Sequence, residues 1–275
     1  MSTLAVNGVE IHVQVMEPAD GAVWEGPQDP PTFVMIHGLG TDSLASWYFT
    51  LAKPFSEAGM RLVMYDLRGH GHSDRPPTGY QLDNFVDDLE GLLAGMGVTS
   101  PVHLIGNSFG GTIAFAYALR RPDAVAGIAV IESEPATEAW AKKMAHNLGR
   151  AAKQLPREEA LNWISANRGR RTARLARAAG KMLSSTTLAQ DIPASRVLSE
   201  AEISGVACPV LCLYGENSDL VVQAPVMERL LPRVRTVIVP GQHHSILVEM
   251  PDFVRELVLT WLREDCAVAA SGERG

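Results

Sequence analysis

Gly106-Asn107-Ser108-Phe109-Gly110 stands between an apolar run, Val102-His103-Leu104-Ile105, and a helix-like run over residues 112–119. A G-x-S-x-G pentapeptide at a strand-to-helix junction predicts a nucleophile elbow. The serine then occupies a strained turn with its hydroxyl above the sheet. Glycines two before and two after it have no Cβ to collide in so sharp a turn. Gly111 adds room where the helix begins. The pentapeptide alone arises often by chance, and its strand–turn–helix setting carries the reading.

Outward from this junction, strand patterns alternate with helical ones. Asn7-Gly8, between apolar stretches at residues 4–6 and 9–15, predicts a hairpin. Further strands are predicted at residues 33–36, 61–65, 125–131, 209–214 and 236–239. Helices are predicted at 46–58, where Pro54 limits the run, and at 82–95, 224–231 and 252–263. The tail, 267–275, reads as frayed. Such alternation implies a mostly parallel sheet covered on both faces, with antiparallel pairing at the edge that holds the hairpin.

The chain has 275 residues, 46% of them hydrophobic and 20% charged, enough for one large α/β domain with a full core. A net charge of −7 excludes a general nucleic-acid binder. Residues 138–190 break the pattern: they read as helices without strands, with eleven Lys or Arg against three acids. That stretch carries +8, so the remainder carries −15. The break predicts a helical lid at residues 136–200 inserted into a core made of 1–135 and 201–275. The first ten residues lack a basic segment followed by an apolar one, and no run of about 18 apolar residues occurs, so neither export nor a membrane span is expected. Cys208 and Cys212, four apart in one extended run, would lie roughly 13 Å apart, too far for a disulfide. The expected location is the cytoplasm.

A serine needs a base within hydrogen-bond reach, and the base needs an orienting group. In open α/β sheets such groups collect beyond the carboxyl ends of strands. Tyr214-Gly215-Glu216-Asn217-Ser218-Asp219 follows one late strand, and Val239-Pro240-Gly241-Gln242-His243-His244 follows the next. Together with His37-Gly38-Leu39-Gly40, the turn 66–73 and the segment 106–111, these motifs resemble the α/β-hydrolase superfamily over nearly the whole chain. More narrowly, they resemble its lidded branch of esterases, cofactor-free haloperoxidases, carbon–carbon hydrolases and thioesterases.

That resemblance implies an α/β-hydrolase fold of about eight strands, helices on both faces and a helical lid. It places the nucleophile on Ser108. It places the base on His244, since Glu249-Met250-Pro251 sets the register of the family's histidine motif. His243 replaces a usual glycine there and competes for the role. Asp219 is the expected acid and Glu216 the alternative. Backbone N–H groups of Leu39 and Phe109 are the expected oxyanion donors. His37, Gly38, Trp140, Met144, Trp163, Leu220 and Ile246 are expected near the substrate pocket, with His37 chiefly bracing its loop. Asp66, Arg68, His70 and His72 read as a turn held by ion pairing. No metal or cofactor is expected: His70 and His72 lack further ligands at suitable spacing, and no nucleotide-binding motif occurs. The implied reaction is hydrolysis of a carboxylic ester through an acyl-enzyme. Thioester, carbon–carbon or perhydrolysis chemistry on the same triad, and a ligand-binding receptor of the same fold, are the alternatives. Relatives that open epoxides or haloalkanes use aspartate at the elbow, which Ser108 argues against. The expected partner is a small acyl substrate, with the basic insert favouring an anionic or carrier-bound one. Oligomeric state is not legible.

Overall fold

The computed structural model describes residues 2–26 and 30–266. The tail expected to fray, 267–275, lies outside them. Eight strands form one sheet: β1 Ser2–Val6, β2 Val9–Met16, β3 Thr32–Ile36, β4 Arg61–Tyr65, β5 Val102–Asn107, β6 Val125–Ile131, β7 Val210–Gly215 and β8 Val234–Val239. Their spatial order is β1-β2-β4-β3-β5-β6-β7-β8. β1, β2 and β4 pair antiparallel, and every pair from β4–β3 to β7–β8 is parallel. Asn7 and Gly8 turn the leading hairpin with φ of 50° and 76°, both in the left-handed region that a two-residue primed turn requires.

Among the described residues twelve α-helices accompany the sheet. The first five are α1 Ala45–Trp47, α2 Lys53–Glu57, α3 Leu82–Gly95, α4 Phe109–Arg120 and α5 Glu138–Gln154. Next come α6 Glu158–Arg168, α7 Arg170–Ser185, α8 Leu188–Asp191 and α9 Glu200–Ile203. The chain closes with α10 Ala224–Leu230, α11 Ile246–Glu249 and α12 Pro251–Trp261. The single helix expected over 46–58 is divided by a π-helical turn, Tyr48–Ala52, just before Pro54. Proline has no N–H for the helical ladder, so the preceding turn widens.

Both faces of the central strands β3 to β7 are buried, and neighbouring residues along a strand serve opposite faces. Val34 and Ile36 join the cluster that contains α3 and α4, while Phe33 and Met35 join the cluster with Trp47, Phe55 and Trp261. Five helices, α5 to α9, lie between β6 and β7. Their buried residues Trp140, Met182, Leu183 and Leu188, and Ile192 just after α8, belong to the α3–α4 cluster. This helical segment therefore shares the main core. Asp191 fastens it polar-wise: its carboxylate accepts the backbone N–H groups of Gly79 and Tyr80, at 3.2 and 3.0 Å, and the Thr187 hydroxyl.

Candidate active site

The tip of β5 and the start of α4 hold Ser108 in a narrow frame. Ser108 has φ 51° and ψ −120°, a strained conformation for a residue with a Cβ. Its N–H donates to Ile131 O at 2.9 Å, and its carbonyl accepts from Gly111 N at 3.0 Å. A Cβ on Gly106 would collide with Gly111 N, and one on Gly110 with the Ile36 carbonyl. The two glycines thus let the helix close over the strand, as the motif predicts.

His244 follows β8. Its Nε2 stands 3.2 Å from Ser108 Oγ, and its Nδ1 stands 2.9 Å from Glu132 Oε2. The carboxylate at Nδ1 fixes the tautomer: Nδ1 carries the proton, and Nε2 is free to accept the serine hydroxyl. Glu132 comes one residue after β6, with φ 52° and no exposed surface. Its backbone N–H donates to Leu213 O at 2.9 Å. Its Oε1 accepts Gly215 N–H, and its Oε2 also accepts the Ser218 hydroxyl.

Glu132 thus occupies the place expected for Asp219, and the sequence reading of the acid is corrected here. β6 lies between β5 and β7, so a residue at its carboxyl end comes up between the serine and the β7 and β8 loops. Asp219 is exposed and lines the cavity, while the polar partners of the His244 ring are Glu132 and Ser108. Glu216 accepts Gly241 N–H at 2.8 Å and ties those two loops together. Glu132-Ser133-Glu134 did carry a signal, namely acids directly beyond a strand's carboxyl end. That signal is weaker than the motif at residues 215–219, because an acid beyond a strand is common and carries no glycine turn of its own. His243 also reaches the cavity, and its Nδ1 is 3.2 Å from Asn217 O.

The loop after β3 approaches closely enough that a Cβ on Gly38 would lie 3.3 Å from Ser108 Cβ. It is clamped on both sides of Leu39. Gly38 N–H donates to Asp42 Oδ2 at 2.8 Å, and Gly40 N–H donates to His70 Nε2 at 3.0 Å. His70 can accept because it is neutral: burial lowers its pKa to about 3, and its Nδ1–H faces Arg68 O at 3.0 Å. His37 is fully buried, donates Nδ1–H to Gly38 O at 2.6 Å and accepts Leu67 N–H at 3.0 Å. It braces the loop and does not line the cavity. Asp66 receives His12 Nδ1–H, Leu44 N–H and His72 N–H, each at 2.8–2.9 Å, while Arg68 forks onto Asp88 at 2.6 and 2.5 Å. Those groups hold the turn 66–73.

A cavity of about 540 Å³ opens above Ser108, with Leu39 and Phe109 on its wall. Of the other expected pocket residues, Trp140, Met144 and Leu220 line it. Trp140 stacks on Phe109 with ring centroids 6.4 Å apart, so α5 packs directly over the elbow. The other four are corrected: His37 and Gly38, in the loop after β3, do not line the cavity. Trp163 is 60% exposed on α6, and Ile246 is fully buried in the cluster on the other face of the sheet. Among the described residues no group of three or more His, Cys, Asp or Glu is arranged to hold a metal ion, and no helix is long and apolar enough to cross a membrane.

The family model for the alpha/beta hydrolase fold matches residues 31–251. A 2-(acetamidomethylene)succinate hydrolase of Mesorhizobium japonicum is 26% identical over 84% of this chain and 88% of its own. A carboxylesterase of Bacillus subtilis is 25% identical over 86% of this chain and 82% of its own. A solved thermophilic esterase from Thermogutta terrifontis superposes with a TM-score of 0.71 at 20% identity, covering 95% of this chain and 97% of that one. This last likeness is one of fold.

Proposed function

The chain belongs to the α/β-hydrolase fold family, and from that premise we propose a serine hydrolase that cleaves a carboxylic ester through an acyl-enzyme. The observation that carries this is one unbroken line of contacts: Ser108 Oγ to His244 Nε2 at 3.2 Å, and His244 Nδ1 to Glu132 Oε2 at 2.9 Å. His244 takes the Ser108 proton as the oxygen attacks the ester carbonyl. Glu132 holds the imidazole in its tautomer and stabilises the cation that forms. Backbone N–H groups of Leu39 and Phe109 receive the oxyanion. Phe109 opens α4, where N–H groups point away from the helix body, and Leu39 sits between two clamped neighbours. His244 then gives its proton to the leaving oxygen and activates water to release the acid. The carboxylesterase among the relatives supports an ester as the substrate class.

The lid is the second part of the proposal. α5 covers Ser108 through Trp140 and Met144, and so the inserted helices set which acyl groups fit. Burst kinetics with a p-nitrophenyl ester test the mechanism. Wild type should release one equivalent of nitrophenol rapidly and then turn over, and it should react covalently with a fluorophosphonate. Ser108→Ala should abolish the burst and the labelling and lower turnover by a factor on the order of 10⁴ or more, with its circular dichroism unchanged. A burst that survives this substitution would place the nucleophile elsewhere.

A further inference from the structure

α6 and α7 pack against each other and leave a groove of about 250 Å³ between them. Asn162 and Ser165 line it from α6, and Arg170, Arg174 and Arg177 line it from α7. No carboxylate is on its wall. The three arginines fall at i, i+4 and i+7, on one stripe of α7, where neighbouring like charges repel. Glu158 neutralises one of them: its two oxygens accept the Arg177 Nη1–H and Nη2–H at 2.6 and 3.0 Å. Among the described residues Arg170 and Arg174 have no carboxylate within 4.0 Å and donate no side-chain hydrogen bond to the protein. Outside residues 138–190 the described arginines are not left so. Each of them has a carboxylate within 4.0 Å or donates to a backbone carbonyl, as Arg75 does to Gly69 O and Arg233 to Asp265 O. Two uncompensated guanidiniums thus stand side by side against a groove, in a chain whose net charge is −7.

We propose that this groove binds a phosphate group of a soluble phosphorylated molecule, whose oxygens accept hydrogen bonds from the Arg170 and Arg174 guanidiniums. On the serine-hydrolase reading above, that molecule is the carrier of the acyl group; the binding itself does not need that reading. Charge decides for phosphate over carboxylate. Two unpaired cations match a group that carries up to about two negative charges, and the planar guanidinium fork fits phosphate oxygens in pairs. The Asn162 amide and the Ser165 hydroxyl can add further donors. The volume is below that of pockets that enclose a whole small molecule, so it suits one group of a larger ligand. A soluble source is favoured over a lipid headgroup because Trp163 and Leu175, the exposed large apolar residues of α6 and α7, are not on the groove's wall. The groove therefore brings no side chain to insert among acyl chains beside its arginines.

Isothermal titration calorimetry with adenosine 3′,5′-bisphosphate tests this without turnover. At about 0.05 M salt, wild type should bind it saturably with a Kd below about 1 mM, and adenosine should give no saturable heat. Arg170→Gln combined with Arg174→Gln should raise the Kd about tenfold or more. Arg150→Gln combined with Arg157→Gln removes the same charge from the inserted helices but outside the groove, and should change the Kd less than about threefold. All four arginines are exposed, and circular dichroism reports whether the variants fold. Should the first glutamine pair not fold, Arg170→Lys with Arg174→Lys, which keeps the charge and loses the fork, should still weaken binding severalfold. No saturable binding by wild type would overturn the proposal. Equal weakening by the two glutamine pairs would overturn it too, since a diffuse field would then account for the binding. Binding to phosphatidylglycerol vesicles with none to the bisphosphate would overturn the soluble source. Ser108→Ala should bind the bisphosphate as wild type does. A failed titration therefore leaves the hydrolase reading standing, and a missing ester burst leaves this site standing.

Discussion

A fully buried carboxylate that accepts three hydrogen bonds has little tolerance for replacement, and Glu132 is such a group. Glu132→Gln keeps the size but puts an amide where two oxygens accept donors. It can leave the His244 imidazole in the wrong tautomer, with a proton facing Ser108. Turnover of a neutral ester should fall by a factor on the order of 10³–10⁴, mainly in kcat. Asp219→Asn, on the exposed rim, should leave kcat for the same ester within about threefold. Steady-state kinetics of the two variants side by side separate the assignments, and the reverse ranking would return the acid to Asp219. The sequence misleads here for a physical reason. Asp219 satisfies a motif that is local in the chain, whereas Glu132 owes its position to the lateral order of strands. The serine and histidine were legible because each is announced by its own glycines and turn. The acid is announced only by which strand stands next to which.

β5 shows how one element serves both chemistry and stability. Its carboxyl end delivers Ser108, and near its start His103 replaces an apolar residue in a strand buried on both faces. His103 is 4% exposed, stacks on Phe33 at 5.3 Å, and has no hydrogen bond at either ring nitrogen. Burial alone lowers its pKa to about 4. An unfolded imidazole titrates near 6.5, so between roughly pH 6.5 and 4 the unfolded chain binds a proton that the folded chain refuses. Stability should therefore fall as pH drops through this window, by about 3 kcal/mol from His103. His103→Phe removes that linkage. Its Tm should drop less between pH 7 and pH 4.5 than that of wild type, and parallel drops would show that the linkage lies elsewhere. The strands themselves were legible because short apolar runs bounded by turn residues leave few alternatives. β4 and β6 span the residues expected. The inserted helices were legible as helices but not in their rotational phase. Trp140 and Trp163 look alike in sequence, yet only the first faces the cavity, because the inward side of α5 and α6 is set by what they pack against.

At the scale of the whole molecule, charge is divided between the inserted helices and the rest of the chain. The segment 138–190 carries +8 and the remainder −15. The division does not continue into the cavity, where the single lysine is paired and three carboxylates share the wall. The cations that remain unpaired are outside. Among the described residues no carboxylate lies within 4.0 Å of Arg168, Arg170, Arg171 or Arg174, at the turn from α6 into α7. These arginines can act on a substrate only before it enters, through a field that salt screens over about 10 Å at 0.1 M. An anionic carrier held outside the cavity would match this distribution. The comparison that tests this keeps the acyl group fixed and changes what it is attached to: the coenzyme A thioester against the p-nitrophenyl ester. Raising salt from about 0.01 to 0.3 M should lower kcat/KM severalfold for the thioester and little for the neutral ester. Combining Arg170→Glu, Arg171→Glu and Arg174→Glu should remove the difference, while kcat for the neutral ester holds. Equal salt responses in the wild-type protein would leave the inserted charge without a part in substrate capture.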